Sequence, residues 1–424
     1  MCATGMQVRL RGHLDDQVVS QTRLDTRSEM ISVETEHFSI NRTLLLVLGL
    51  WPYERSTLVR LQTIILFAIL MSFIIFQTTV LLTAECTSDL LINVFCSTLL
   101  CCVLLVNFLS FWINMRTVTC LMERLQEICN ELKDENEIAI IKRYGYRARQ
   151  ITIILTLLYT FPEIVIIAQP IWPRVLGIFL FLNESLYRRK TLILTEYFVD
   201  QEKYSYLIML HTNIAVFIGT FAMVATKTLL LVSLNHACGM FSIASYRIER
   251  AITNNKRENV NLKDQNVIFK RMIYAVDIHR KAMKYSRFLI SSFERTFFLL
   301  IALGVVSLSL NLFRVVQLAS SGSNKEELLF RFICIILILI YMFFCNEIGQ
   351  EITDHNDQVY LTAYKVMWYA APLHVQKLIL FLIQRGNKTF GLHVGGLFTS
   401  SLQCFATLAS TSVSYFTVMY STQQ

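Results

Sequence analysis

The run LQTIILFAILMSFIIFQTTVLL occupies Leu61–Leu82 and contains no charged residue. A helix of this length crosses the hydrocarbon core of a bilayer, which is roughly 30 Å thick. Over the whole chain of 424 residues, 54% are hydrophobic and 17% are charged, whereas about 25% are charged in a typical soluble domain. The chain therefore carries more apolar surface than a water-soluble protein can bury, and we expect a membrane protein.

Apolar runs of about 18 or more residues predict an all-α fold with seven transmembrane helices. The predicted spans are Leu61–Leu82, Leu90–Ile113, Ile151–Ile171, Tyr206–Leu234, Thr296–Phe313, Leu328–Cys345 and Phe390–Tyr420. A further apolar segment, Val366–Ile383, is interrupted by Pro372, His374 and Lys377. We interpret it as an amphipathic segment at the membrane edge or in a protein interface, because charges at the centre of a span are costly.

Lys and Arg residues predict the orientation, since cytosolic loops are richer in them than external loops. With a cytosolic amino terminus, the cytosolic segments hold 29 Lys and Arg residues and the external segments hold 7. The cytosolic segments are 1–60, 114–150, 235–287 and 346–389, and the external segments are 83–89, 172–205, 314–327 and 421–424. The sequence thus predicts a cytosolic amino terminus and an external carboxyl terminus.

Three glycosylation sequons begin at Asn41, Asn183 and Asn387. In the predicted topology only Asn183 lies in an external segment, the side of the membrane on which glycosylation takes place. Asn183 is therefore the predicted glycosylation site. Sugar on either of the other two asparagines would contradict the orientation.

The sequence carries no recognisable catalytic or cofactor motif. It contains no GxSxG, P-loop, HExxH or GxGxxG pattern, and its eight histidines are scattered. The eleven cysteines show no metal-binding spacing. The net charge of +8 comes from residues between apolar runs, which indicates cytosolic anchoring of a membrane protein and not nucleic-acid binding. We therefore predict neither an enzyme nor a cofactor.

The last predicted helix is unusually rich in hydroxyl side chains, since nine of the nineteen residues from 399 to 417 are Ser or Thr. Hydroxyl groups are tolerated in such a helix when they bond back to its backbone and face protein or water. A stripe at spacings of three and four residues comprises Ser400, Gln403, Thr407, Thr411, Ser414 and Val418. The stripe fits either a water-filled pore with an apolar gate or close packing between helices.

Aromatic and sulfur side chains in the outer halves of the other spans form a second candidate site. They are Phe95, Tyr159, Phe161, Met209, Phe217 and Phe332. Side chains of this kind either line an apolar pocket for a small organic ligand or anchor the helices at the lipid interface.

Short motifs in the tail resemble those of insect odorant receptors. The motifs are Ala363-Tyr364, Trp368-Tyr369, Gly391–Phe398 and Ser414–Val418, and Gly49–Pro52 before the first span also resembles the family. Gustatory receptors of the same superfamily typically end in Thr-Tyr, five apolar residues and Gln-Phe. The present chain has SYFTVMYST there instead, which favours the odorant branch. The co-receptor subunit of the family differs by a longer second cytosolic loop.

The resemblance implies an odorant-gated, non-selective cation channel in the plasma membrane of olfactory neuron dendrites. A subunit of this kind binds a volatile ligand and assembles with the co-receptor into a tetramer whose seventh helices line the pore, with Val418 at the apolar gate. The implied organisation is a cytosolic segment 1–60, a ligand-binding bundle 61–345, a cytosolic anchor 346–389 and a pore segment 390–424.

Two other classes of membrane protein remain as alternatives. A G-protein-coupled receptor also has seven helices, but its amino terminus is external, and this chain lacks the Asp-Arg-Tyr and Asn-Pro-x-x-Tyr motifs of that class. A secondary transporter is disfavoured by the odd number of spans and by the lack of a detectable internal repeat.

Overall fold

The computed structural model describes residues 38–168, 193–253, 262–322 and 325–422, apart from 55, 86, 387 and 389. Almost all of the described chain is helical. The helices are α1 (Ser39–Val47), α2 (Thr57–Thr78), α3 (Val80–Thr83), α4 (Ser88–Ile113), α5 (Met115–Asn130), α6 (Glu135–Ala168), α7 (Ser205–Thr253), α8 (Leu262–Ser321), α9 (Lys325–Lys365), α10 (Leu373–Gly386) and α11 (Leu402–Ser421). A 3₁₀ turn at Trp368–Ala370 joins α9 to α10.

Within the described part of the chain, six helical stretches are long and apolar enough to cross a membrane. They are Thr57–Thr83, Ser88–Ile113, Glu135–Val165, Ser205–Thr253, Asp264–Ser321 and Lys325–Lys365. Each contains most or all of one predicted span, so the first six predictions agree with the structure. The chain is a multi-pass, all-α membrane protein. Helix α11 is not among the six, because its apolar residues alternate with many hydroxyl side chains.

The predicted seventh span begins too early. Residues His393–Val394 (β1) and Phe398–Thr399 (β2) form a short antiparallel hairpin, in which His393 pairs with Thr399. Gly395 and Gly396 make its turn with φ values of +62° and +67°, a left-handed conformation that favours glycine. The helix starts only at Leu402, where the Ser401 hydroxyl accepts a hydrogen bond from the Cys404 backbone N–H at 3.1 Å. We call residues 390–400 the tail hairpin.

Helix α7 forms the centre of the bundle. It contains 49 residues, more than half of them buried, and packs against α6, α8 and α9. At about 1.5 Å per residue it is about 74 Å long, more than twice the bilayer core of roughly 30 Å. Helix α7 therefore extends well beyond the membrane, and α8 returns beside it.

The segment before the first span packs into the protein core. Helix α1 ends at Val47, and Gly49, two residues later, has a φ of +67°. Its N–H donates to the Leu46 carbonyl at 3.0 Å, and the Leu50 N–H donates to the Leu45 carbonyl at 2.8 Å, which is a Schellman motif. Trp51 follows and is 2% exposed. This turn explains the Gly-Leu-Trp-Pro motif of the sequence.

The long helices are held together beyond the predicted membrane boundary by polar contacts. Arg247 of α7 pairs with Glu137 of α6 through two hydrogen bonds of 2.7 Å. His279 of α8 contacts the Asn356 Oδ1 atom of α9 at 3.0 Å. Burial lowers the pKa of His279, because the imidazolium form would lose its hydration. The helical extensions thus form a bundle of their own with specific pairings.

Helix α10 occupies the second half of the segment Val366–Ile383, for which the sequence predicted an amphipathic element. It has 14 residues, and Val375, Ile379 and Leu382 are buried at helical spacing. It is not among the six helices able to span a membrane. Its other side exposes Leu380 and Phe381, with 66% and 69% of their surface accessible. Helix α10 is therefore apolar on two sides and covered on only one.

Candidate functional site

A cavity of about 180 Å³ lies between α4, α6, α7, α8 and α9. The lining is mainly apolar and includes Leu100, Leu104, Val216, Phe330 and Ile338. An apolar cavity of about 150 Å³ is large enough to hold benzene. This space, which we call the outer cavity, can therefore hold a single ring with a short substituent.

Polar side chains occupy a few positions around the outer cavity. Ser97, Tyr159, Glu163, Thr212, Asn213, Thr220, Ser307 and Tyr341 contribute to the lining. Two of these hydroxyls already bond within the protein: Tyr159 donates to the Leu337 carbonyl at 3.0 Å, and Ser97 donates to the Asn93 carbonyl at 3.2 Å. Among the described residues that line the cavity, Glu163 is the only acidic or basic one.

Of the six side chains predicted to share a pocket, the structure brings only Tyr159 into the outer cavity. Phe95, Phe161, Phe217 and Phe332 point away from it, with 45%, 67%, 40% and 47% of their surface exposed. Met209 is half-buried and does not line the cavity either. The six do not form one pocket, because depth in the membrane does not determine which side of a helix faces inward. The exposed four lie where a lipid-facing anchor would lie.

A second cavity of about 130 Å³, the inner cavity, lies farther along α6, α7, α8 and α9. Leu392, Val394 and Phe398 of the tail hairpin line it, and so do Cys404 and Leu408 of α11. It shares Tyr159, Met223, Leu300 and Tyr341 with the outer cavity. These four side chains therefore separate the two spaces.

Lys227 places a cation at the inner cavity. Its Nζ atom lies 4.7 Å from the centre of the Phe297 ring and 5.8 Å from that of Tyr341. Contacts at these distances are attractive cation–π interactions. The ammonium group of Lys227 therefore lies over aromatic rings between the helices.

A buried charge network lies beside the outer cavity. Arg331 is completely buried, and the Arg314 Nε atom donates to the Glu327 carboxylate at 2.9 Å. The Arg331 guanidinium group contacts Asn93, Ser97 and Asn311. The Arg331 Nε atom is 3.9 Å from Glu327. Two guanidinium groups therefore share one buried carboxylate at the ends of α8 and α9.

Helix α11 contacts the other helices through one narrow strip of its surface. Leu408 and Ser412 are buried, and the Ser309 hydroxyl of α8 donates to the Ser412 carbonyl at 3.0 Å. Among the predicted pore residues, Gln403, Thr407, Ser414 and Val418 are exposed and Thr411 is half-buried. Thr407 donates to the Gln403 carbonyl at 3.0 Å and Thr411 to the Thr407 carbonyl at 2.8 Å. These hydroxyls bond back to the helix, as the sequence predicted.

Ser400 does not belong to this stripe. It precedes α11, and its hydroxyl donates to the Cys345 carbonyl of α9 at 2.9 Å. The tail hairpin is also tied to α8, because Glu294 accepts a hydrogen bond from the Gly395 N–H at 3.0 Å. The role of Glu294 in holding the hairpin depends on a contact with a residue 101 positions away in the chain.

The family model described as 7tm Odorant receptor matches residues 87–413, which is most of the chain. Two solved structures of the olfactory receptor OR5 from the insect Machilis hrabei have similar folds. The complex with eugenol has 15% sequence identity and a TM-score of 0.72, covering 92% of this chain and 100% of the other. The other OR5 structure has 16% identity and a TM-score of 0.72, covering 92% and 99%. No curated protein matches the sequence.

Proposed function

Because this chain belongs to the seven-transmembrane odorant receptor family, we propose that it is an odorant-gated, non-selective cation channel subunit. In this proposal the outer cavity binds a small volatile organic molecule, and α11 lines the pore. Binding in the cavity shifts the chain toward the conformation that opens the pore, since a ligand favours whichever state binds it better.

The observation that carries the proposal is the exposed, hydroxyl-rich surface of α11. Only Leu408 and Ser412 of this helix are buried in the single chain. Thr407, Ser414 and Gln403 face outward, where a lipid-facing helix would carry apolar side chains. Water in a central pore, with further subunits around it, accounts for this surface. Val418, which is 59% exposed, provides an apolar ring at the end of the stripe.

The outer cavity supports the ligand-binding part of the proposal. Its apolar lining and its size suit a molecule of one ring. One of the solved structures with this fold holds eugenol, so the fold accommodates a small organic molecule. By analogy we place the odorant of this chain between α4, α6, α7, α8 and α9.

The proposed topology follows the loop charges and the family. The amino terminus is cytosolic, α11 is the seventh span, and the carboxyl terminus is external, in the plasma membrane of an olfactory neuron dendrite. Burial of the Asn41 amide, which donates to the Thr228 hydroxyl at 2.8 Å, agrees with an unglycosylated Asn41. Asn183 and Asn387 lie outside the described residues, and Asn183 remains the proposed glycosylation site.

A tetramer with the odorant receptor co-receptor is proposed as the working assembly. Segment 346–389 is the proposed anchor between subunits. The exposed apolar side chains of α10, including Leu380 and Phe381, support this role, because an uncovered apolar surface outside the membrane marks a protein contact.

Co-expression with the co-receptor tests the proposed function. A broad panel of volatile compounds is expected to evoke a current only in cells that carry both subunits, with the co-receptor alone as the control. The reversal potential is expected to stay nearly constant when external Na⁺ is replaced by K⁺. No evoked current despite surface delivery, or a strongly shifted reversal potential, would refute the channel proposal.

A further inference from the structure

Glu163 stands out among the residues that line the outer cavity. It lies on α6 and is 6% exposed. Neither of its carboxylate oxygens has a hydrogen bond of normal geometry among the described residues, although the Thr220 hydroxyl of α7 faces it. A buried polar group without a partner is costly. Such a group in a cavity is therefore a candidate for contact with a ligand.

Three cations of the described helices have other partners than this carboxyl group. Arg314 pairs with Glu327, and Arg331 contacts Asn93, Ser97 and Asn311. Lys227 lies over two aromatic rings beside the inner cavity. The carboxyl group of Glu163 therefore faces the mainly apolar outer cavity, and among the described residues each of its oxygens has a vacant acceptor position.

We propose that Glu163 is the recognition group of the outer cavity and that it selects a small, mainly apolar ligand carrying one O–H or N–H donor. The donor hydrogen-bonds to the Glu163 carboxyl group, and the rest of the ligand occupies the space lined by Leu100, Leu104 and Ile338. The inference rests on the proposed function in one respect, namely that the outer cavity is the ligand site.

The size of the cavity and its buried carboxyl group, which has no hydrogen bond of normal geometry among the described residues, define the ligand class. A space of about 180 Å³ suits one ring with a short chain. A site built around a hydrogen bond rejects an isomer that cannot form it, because the protein group then stays buried without a partner. Aromatic alcohols and amines are therefore expected to bind better than ethers of the same size.

The test compares isomers by their effect on the thermal unfolding of the purified full-length protein, because a ligand that binds the folded state raises the midpoint. Benzyl alcohol and anisole have the same formula, but only benzyl alcohol has a donor, and benzylamine supplies a charged donor. For the wild type we expect a donor compound to reach half of its maximal effect at an about tenfold lower concentration than anisole. The E163M variant should remove this preference, since methionine keeps the length of the side chain without an acceptor oxygen.

Two further variants keep the test decisive. E163Q retains one carbonyl oxygen and should keep part of the preference for benzyl alcohol. I167M alters the cavity one helical turn beyond Glu163 without changing its polarity, so it should affect benzyl alcohol and anisole alike. A preference for benzylamine over benzyl alcohol would support an ion pair, and the reverse order would support a neutral hydrogen bond.

The inference would be overturned if no donor compound stabilised the wild type more than anisole, or if E163M kept the full preference. Thermal unfolding does not depend on channel activity, so this test can fail or succeed independently of the channel proposal. Stabilisation that depends on Glu163 without an evoked current would contradict the channel function and leave the recognition role of Glu163 in place.

Discussion

The Ser400 hydroxyl lies directly against Gly349 of α9, at a distance where any Cβ atom on residue 349 would overlap it. Ser400 also donates to the Cys345 carbonyl at 2.9 Å, and the Ser401 N–H donates to Asn346 Oδ1 at 3.3 Å. The chain is therefore fixed to α9 immediately before α11 begins. Any movement of α9 at this point acts directly on the start of the proposed pore helix.

Gly349→Ala is expected to destabilise the protein, because the new methyl group must displace the end of the tail hairpin. Overpacking of this kind typically costs about 1–3 kcal/mol of unfolding free energy. Thermal unfolding of the purified protein measures the effect, and odour-evoked current should fall in parallel. Gly304→Ala is the matched control for stability alone, since the nearest atom to its Cβ position, Met342 Sδ, is 4.0 Å away but Gly304 itself lines the outer cavity. Equal unfolding midpoints in the two variants would contradict the prediction.

In the buried charge network of Arg314, Glu327 and Arg331, loss of the carboxylate is expected to lower stability more than loss of one guanidinium group. Glu327→Ala leaves Arg314 and Arg331 buried together without their carboxylate, whereas Arg331→Met leaves the Arg314–Glu327 pair intact. Removing one partner of a buried ion pair costs about 3–5 kcal/mol. We expect Glu327→Ala to lower the unfolding midpoint more than Arg331→Met does. Arg149→Met, at an exposed position, should have little effect. Greater damage from Arg331→Met would show that its contacts with Asn93 and Ser97 matter more than charge balance.

Cysteine substitution on α11 tests the position of the gate. In Val418→Cys channels co-expressed with the co-receptor, an external thiol reagent should block current faster when odorant is present, because opening exposes the apolar ring to water. Val413→Cys is the control, since Val413 is also exposed, at 49%, but lies on another side of α11. Similar block in both variants, or no dependence on odorant, would place the gate elsewhere.

Glycosylation tests the orientation. Asn183→Gln should remove the shift in electrophoretic mobility that N-glycosidase treatment produces, and Asn41→Gln should leave this shift unchanged. Asn41 is 1% exposed and its amide donates to Thr228, so the folded chain offers no room for sugar there. Glycan on Asn41 or Asn387 would reverse the proposed topology.

The first six spans could be predicted from the sequence because the signal is local and repeated. Each run is apolar over a length that matches the thickness of the bilayer. Because the backbone N–H and C=O groups of a segment in lipid must form hydrogen bonds with each other, the helix is the simplest structure for such a run. The back-bonding of the hydroxyl side chains of α11 could also be predicted from the sequence. The hydroxyl groups of Thr407 and Thr411 each donate to the carbonyl four residues earlier, a contact within a single helix.

The start of α11 was missed because Phe390, Leu392 and Val394 are as apolar as membrane residues. They are buried instead in the protein core, in a hairpin that depends on the Gly395 and Gly396 turn. The pocket residues were missed for a related reason. Tyr159 and Phe161 lie two residues apart on α6, yet one lines the cavity and the other is 67% exposed. Glu163, one turn after Tyr159, was the better signal, because a carboxyl group within an apolar run needs a reason to be there.

The sequence by itself determined the class of protein, the position of six membrane helices, the predicted orientation and the polar character of the last helix. These properties follow from composition and spacing along a single helix. Tertiary structure alone decided which side of each helix faces the cavity, where the tail hairpin attaches and which charges share Glu327. Those relationships join residues far apart in the chain, such as Glu294 with Gly395 and Ser400 with Gly349, and only the packing of whole helices brings such residues together.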